Sequence, residues 1–339
     1  MKPSPKLFIL LIVIAFSHQL NATVRTVNNN NPSPGQFTTI SAAISAAVSG
    51  DTLYISGSPT TYTGVSGLTK LLTFIGTGHN PDKQNPLVSN VDFLSVPFNG
   101  SKFIGINFIS GLNLTSLNGT ITYEHCRFNN SMVINNTGTF IFKKCIFMNS
   151  PGTNALSPIN VTATFTNCVF KFGINSSSSN MTLSGSATNC MFLGSAFTYA
   201  GGTMNNFSFT NNIFYGISPQ IVGTNTATTM TNNISYNCPN NNFNAVTLVG
   251  NIVNSNPLFT TYVPSFFKYT DNYVLQAASP GANAGTDGKD IGLYGGPDGV
   301  NFRMGGDPSI PQIRQMNIQD NSVPLGSPFI INIISTKKL

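Results

Sequence analysis

Glu124, His125 and Arg127 stand almost side by side, and Lys143 and Lys144 follow 19 and 20 residues after Glu124. An imidazole, or an arginine side chain in its neutral form, can take a proton from the carbon next to a uronate carboxylate, and a lysine can anchor the uronate itself. His125, Arg127 and Lys144 are therefore the candidate catalytic residues. The same five charges also read as a solvated face with ion pairs between neighbouring coils, each worth less than ~1 kcal/mol. Asp287 and Asp290, set beside Gly288 and Gly292, could hold Ca²⁺, or could bond the backbone of a turn. Tyr262, Phe266, Phe267 and Tyr269, with Phe259 and Tyr273, could form a platform on which sugars stack. They could equally close the open end of a core.

One count weighs against catalysis. Between Phe93 and Thr270 the only acid is Glu124. A glycosidic hydrolase normally needs two carboxyl groups flanking the bond, and a calcium site needs several acidic oxygens. One carboxylate supplies neither. Charged residues make up only 8% of the 339 residues, while Phe reaches 26 and Trp is absent. Solubility then rests on Asn, Ser, Thr and Gly, which favour turns and short strands over surface helices. The basic residues are scattered rather than arranged in a stripe, which excludes nucleic acid as a partner. The five cysteines, an odd number with no C-x-x-C pair, argue against a disulfide scaffold and against zinc.

The elements that position these residues are set by a repeat. His125-Cys126-Arg127-Phe128, Lys144-Cys145-Ile146-Phe147, Asn167-Cys168-Val169-Phe170, Asn189-Cys190-Met191-Phe192 and Asn211-Asn212-Ile213-Phe214 follow one another, with weaker copies at Asn233 and Asn251. The steps from Cys126 through Cys145, Cys168, Cys190, Asn212, Asn233 and Asn251 are 19, 23, 22, 22, 21 and 18 residues. That period is too short for a helix pair and fits one coil of a β-solenoid, with insertions absorbed at the bends. Coils stacked at the ~4.8 Å strand spacing put like residues into ladders. Phe can stack along one such column. Cys126, Cys145, Cys168, Cys190, Asn212, Asn233 and Asn251 form another, in which Asn bonds its neighbours and accepts the left-handed backbone of a tight corner. The thiols read either as free core residues or as disulfides between adjacent coils. Ile40, Ala43, Ile44 and Ala47 share one helical face ahead of Gly50, which predicts a short cap over the first coil.

Lys2, Lys6 and the unbroken apolar run over residues 7–16 read as a secretory leader ending near Ala22. The remaining chain is expected to carry about +4 charges and no membrane-spanning segment. The domain reading is 1–22 leader, 23–300 solenoid with its cap, and 301–339 a linker and short strands, either packed on the last coils or loose.

Phe37-Thr38-Thr39-Ile40-Ser41-Ala42-Ala43-Ile44 and Gly50-Asp51-Thr52-Leu53-Tyr54-Ile55 resemble the opening of pectin-lyase-like β-helix proteins. Asn256-Pro257-Leu258-Phe259, Tyr273-Val274-Leu275-Gln276, residues 279–285 and Asp290-Ile291-Gly292-Leu293-Tyr294-Gly295-Gly296 resemble their usual ending, with Gly281 in place of the usual Ala. The resemblance, to secreted β-helix repeat proteins of Bacteroidetes type, spans about residues 24–300. It implies a right-handed parallel β-helix. It does not choose a function, because that superfamily mixes lyases, hydrolases and adhesins.

The expectation is thus an all-β, single-stranded right-handed parallel β-helix with a short N-terminal capping helix, exported to the periplasm, the cell surface or the medium. Its expected role is non-catalytic binding, with a polysaccharide as partner and no cofactor. A divergent polysaccharide lyase, the one case requiring Ca²⁺, and a structural or adhesive surface protein stand as alternatives. The oligomeric state is left open.

Overall fold

The computed structural model of the chain describes residues 22–64, 68–89, 91–93, 99–114, 119–130, 132–134, 137–149, 151–152, 159–175, 181–194, 197–264, 267–299, 302–308, 312–318 and 331–336. The expected leader up to residue 21 and Phe266 lie outside them.

Segments such as Thr162-Ala163-Thr164-Phe165-Thr166 alternate hydroxyls with apolar residues. In an extended chain this sends the two sets to opposite faces. The rings and Ala163 are buried while the threonines stay half-exposed. Because β-branched and aromatic residues pack well on a pleated surface, each coil contributes a strand here. Among the described residues three parallel sheets result, of 13, 8 and 4 strands, in which strands pair with their counterparts one coil on. The fold is a parallel β-solenoid. In one coil, Thr120–Glu124 lies in the first sheet, Arg127–Phe128 in the second and Met132–Ile134 in the third.

The core is built from two aromatic columns. Phe74, Phe103, Tyr123, Phe142 and Phe165 stack with centroids 4.6, 5.2, 5.2 and 5.0 Å apart. Phe108, Phe128, Phe147, Phe170, Phe192 and Phe214 stack at 5.3, 4.9, 4.8, 4.6 and 4.7 Å. The columns meet edge to face, as with Phe142 and Phe147 at 74°, and such pairs add ~0.5–1.5 kcal/mol each beyond area burial. Tyr123 stands where its neighbours are Phe, and its buried hydroxyl has no partner among the described residues.

The corner between first and second sheets differs from expectation in one respect. The left-handed residue is not the Cys/Asn ladder residue but the one before it. His125, Lys144, Asn167, Asn189, Asn211 and Asn232 have φ of 52, 55, 51, 54, 57 and 50°, with Gly105 and Gly250 extending the column at 65 and 62°. The corner turns at that residue, which throws the following one inward. Cys126, Cys145, Cys168, Cys190, Asn212 and Asn233 are consequently buried. All five cysteines are free thiols, so the disulfide reading is not realised.

The ends differ. Helix Ile40–Ala46, N-capped by Thr39 Oγ1 on Ala42 N–H at 3.2 Å, covers the first coil with Ile40, Ala43 and Ile44. Lys70 Nζ caps its other end by donating to the Ile44, Ser45 and Ala47 carbonyls, where the helix dipole is negative. Buried Asp51 ties this end together by accepting from Thr23, Arg25 and Val48. Burial alone would raise its pKa, but these bonds outweigh it and hold the carboxyl well below the usual range. At the far end, strand Thr247–Val249 is exposed.

From residue 279 the chain runs back along the outside as a strap. Asn232 Nδ2 donates to the Ala284 carbonyl and Asn211 Nδ2 to Thr286 Oγ1. Asn189 Nδ2 reaches the Asp290 and Gly292 carbonyls, and Asn167 Nδ2 those of Leu293 and Gly295. The strap thus meets one corner side chain per coil. Beneath it the second sheet buries its outer face as well: Ile146, Val169, Met191, Ile213 and Ile234 pack against Phe259, Phe267, Tyr273, Ile291 and Leu293. The aromatic group therefore does not close the end of the core; it forms a second core on the flank, because strap and antiparallel strands Phe259–Thr261 and Asn272–Leu275 lie there. Residues 302–308 reach the early coils rather than the last ones, with His79 N–H donating to the Gly305 carbonyl at 2.6 Å. Beyond them Gln312–Ile318 and Ile331–Thr336 pair antiparallel.

Candidate functional site

At the second corner of the late coils the chain passes through Gly194, Gly216 and Asn237, with φ of 152, 75 and 51°. A Cβ on Gly216 would lie 2.7 Å from the Gly194 carbonyl oxygen, and one on Gly194 2.1 Å from that of Lys171. Glycine is required where coils approach so closely. The bare corners leave a cleft of about 660 Å³, lined by Lys171, Phe172, Tyr215, Cys238, Pro239, Tyr262 and Pro264 as well as the corner residues. Tyr262 sits edge-on to Tyr215, centroids 5.0 Å apart at 84°. Lys171 Nζ lies 5.1 Å from the Phe172 ring centre, a cation–π contact. Burial pushes the Cys238 thiol up to about 11, which keeps it protonated and a poor nucleophile at neutral pH. Among the described residues, no carboxylate lines the cleft. Aromatic walls with one ammonium suit binding of a sugar polymer, by stacking and by charge.

The sequence singled out Tyr262 but missed Lys171, Phe172 and Tyr215. The signal available was Tyr215, which follows the ladder Phe214 where earlier repeats have other residues. The other aromatic candidates lie elsewhere. Phe267 is buried and stacked on Tyr273, 5.7 Å apart. Tyr269 is held in a polar cluster at the early end of the strap.

That cluster gathers the catalytic candidates, though not as a solvated face. His125 and Lys144 are both buried at left-handed corners, and Gly306 of the strap lies against the His125 carbonyl. Arg127 donates from Nε to Asn129 at 2.7 Å and from Nη1 to the Tyr269 hydroxyl at 2.7 Å, and its guanidinium lies over the Tyr269 ring. Tyr269 donates its hydroxyl hydrogen to the His79 carbonyl at 2.9 Å, and His79 Nδ1 lies 2.8 Å from the same oxygen. Burial, then Arg127 and His125, lower His79 to about 3. Burial, then Lys144 and Arg303, lower His125 to about 3. Among the described residues, His79 Nε2 and His125 Nδ1 have no hydrogen-bond partner. Glu124 Oε1 lies 3.8 Å from His125 Nε2. Buried imidazoles covered by backbone do not meet a polymer from solution.

Asp287 Oδ1 accepts from Lys289 N–H at 3.1 Å and Asp290 Oδ1 from Asn283 N–H at 2.9 Å, so both carboxylates brace strap turns. Among the described residues no three His, Cys, Asp or Glu side chains group as metal ligands. No helix among them is long and apolar enough to cross a membrane. The seven ladder residues take one slot of successive coils. Asn212 Nδ2 and Asn233 Nδ2 each donate 2.9 Å to the Oδ1 of the next asparagine, Asn233 and Asn251.

No protein-family model matches the chain, and no curated protein does. Among solved structures, a pectin methylesterase from Aspergillus niger is similar over 74% of this chain and 93% of its own, at 13% identity and a TM-score of 0.36.

Proposed function

We propose that the protein is a non-catalytic β-solenoid that binds a polysaccharide in the cleft at its late second corner. The cleft itself carries this reading: Phe172, Tyr215 and Tyr262 around an open groove, with Lys171 at its side. The groove lies along the solenoid flank, which suits an extended chain. Lys171 favours a polymer that bears carboxylates. The missing second carboxylate in the coils supports binding without hydrolysis. Under this reading the protein is exported and works outside the cytoplasm.

Calorimetric titration with uronate oligosaccharides and with neutral ones of equal length tests it. Uronates are expected to bind more tightly. Tyr262→Ala is expected to weaken binding about tenfold, near 1.4 kcal/mol for one stacked ring. Lys171→Met is expected to erase the preference for uronate. Unchanged binding in both variants, or turnover of a uronate polymer into unsaturated product, overturns the reading.

A further inference from the structure

We propose that the early end of the strap is an acid-released clasp: protons taken up by His79 and His125 drive residues 302–308 off the coils. His79 lies on the loop after strand Thr73–Ile75, and His125 is a corner residue of a later coil. The strap backbone presses on both. A Cβ at Gly306 would sit 2.5 Å from His79 Nε2 and 2.6 Å from the His125 carbonyl oxygen, so only glycine fits there.

The clasp is closed around neutral rings. Tyr269 gives its hydrogen to the His79 carbonyl and accepts from Arg127, so His79 Nδ1 holds the ring hydrogen and donates to the same hydroxyl oxygen. A second proton would go to Nε2, which faces the Gly306 backbone and has no acceptor among the described residues. Likewise His125 Nδ1 is buried and has no partner among them. The surroundings disfavour added charge. Arg127 faces His79 from the second sheet, and the two histidines face each other. Lys144 faces His125 from the next coil, and Arg303 from the strap. Asp307 on the strap opposes them but is held by Lys83 at 3.0 Å. Glu124 is half-exposed and 3.8 Å from His125. Among the described residues, Arg127, Lys144, Arg303 and Lys83 thus outnumber Asp307 and Glu124 before either ring takes a proton.

The sign of the effect follows from linkage. Both rings sit near 3 when closed, against 6.5 when free. Below about 6.5 the open form binds protons that the closed form refuses, so opening rises about tenfold per pH unit for each histidine, until about pH 3.

Hydrogen exchange of strap peptides from pH 7 to pH 4, corrected for intrinsic rates, measures the opening. In the wild-type chain the opening constant of residues 302–308 is expected to rise about a hundredfold per pH unit below 6. His125→Asn installs the residue that the same corner carries at Asn167, Asn189 and Asn211. It is expected to reduce the slope to about tenfold, and adding His79→Gln to flatten it. A wild-type slope under about threefold per unit, or one unchanged in the double variant, overturns the clasp. Imidazole NMR of the wild type stands apart from any variant's folding. Both rings are expected to stay neutral at pH 5 while the strap is closed, and protonation near pH 6 with the strap in place also overturns it.

Discussion

The inner ladder divides into a cysteine stretch and an asparagine stretch, and the two turn out to be one device at two strengths. Cys126, Cys145, Cys168 and Cys190 point Sγ at the carbonyls of Phe103, Tyr123, Phe142 and Phe165, at 3.3 to 3.5 Å. Asn212, Asn233 and Asn251 point Nδ2 at the next carbonyls of the same column, those of Ala187, Phe209 and Met230, at 2.7 to 3.0 Å. From Cys190 on, each slot also answers the backbone N–H of the coil before it. Cys190 Sγ receives Cys168 N–H at 3.4 Å, while Asn212 Oδ1 receives Cys190 N–H at 2.8 Å. Sulfur is a weak donor and acceptor and the amide a strong one. What distinguishes the slot is therefore its two hydrogen-bonding directions as well as its size.

The comparison can be broken most forcefully at Asn233. Asn233→Ala strands Asn212 N–H, removes the side-chain donor to the Phe209 carbonyl, and takes one of two partners each from Asn212 Nδ2 and Asn251 Oδ1, which keep the Ala187 carbonyl and the backbone N–H of residue 233. It is expected to cost about 4 kcal/mol in urea unfolding, as several buried groups lose partners at once. Cys168→Ala removes only weak sulfur contacts and leaves a small void, and about 1.5 kcal/mol is expected by the same measurement. Equal losses in the two variants would dissolve the distinction. Cys190→Asn sharpens it. The amide run would lengthen by one coil, and a gain of about 0.5 kcal/mol is expected, read as a higher melting temperature. A large loss there would show that the cysteine coils are too tight for an amide.

The period of Cys/Asn-x-Phe, from Cys126 to Asn251, carried the architecture, because stacking makes every coil repeat the same buried choices. The cap helix was legible from Ile40, Ala43 and Ile44. The corner geometry was read one residue late. A single chain shows that Asn167, Asn189 and Asn211 precede the ladder, but not which of two adjacent residues turns left-handed. The strap was hidden for a different reason. Its hold on the solenoid runs through backbone carbonyls such as those of Ala284 and Gly292, and carbonyls carry no sequence signature. Burial of His125 depended on that hidden contact, so its charge looked solvent-facing. The cleft was half legible: Tyr262 stood out as an aromatic, whereas Lys171 and Phe172 matter only because Gly194 and Gly216 leave room above them.

The strap also works as a ruler. Asn232, Asn211, Asn189 and Asn167 engage it in strict reverse order, each at its own mark. Adding or deleting one coil would shift every later mark out of step unless a few residues were added or removed near position 288 at the same time. Two compensating changes, far apart in the gene, are harder to acquire than one. The length of this rod is thereby locked, although nothing in the stacking of identical rungs would otherwise tell it where to stop.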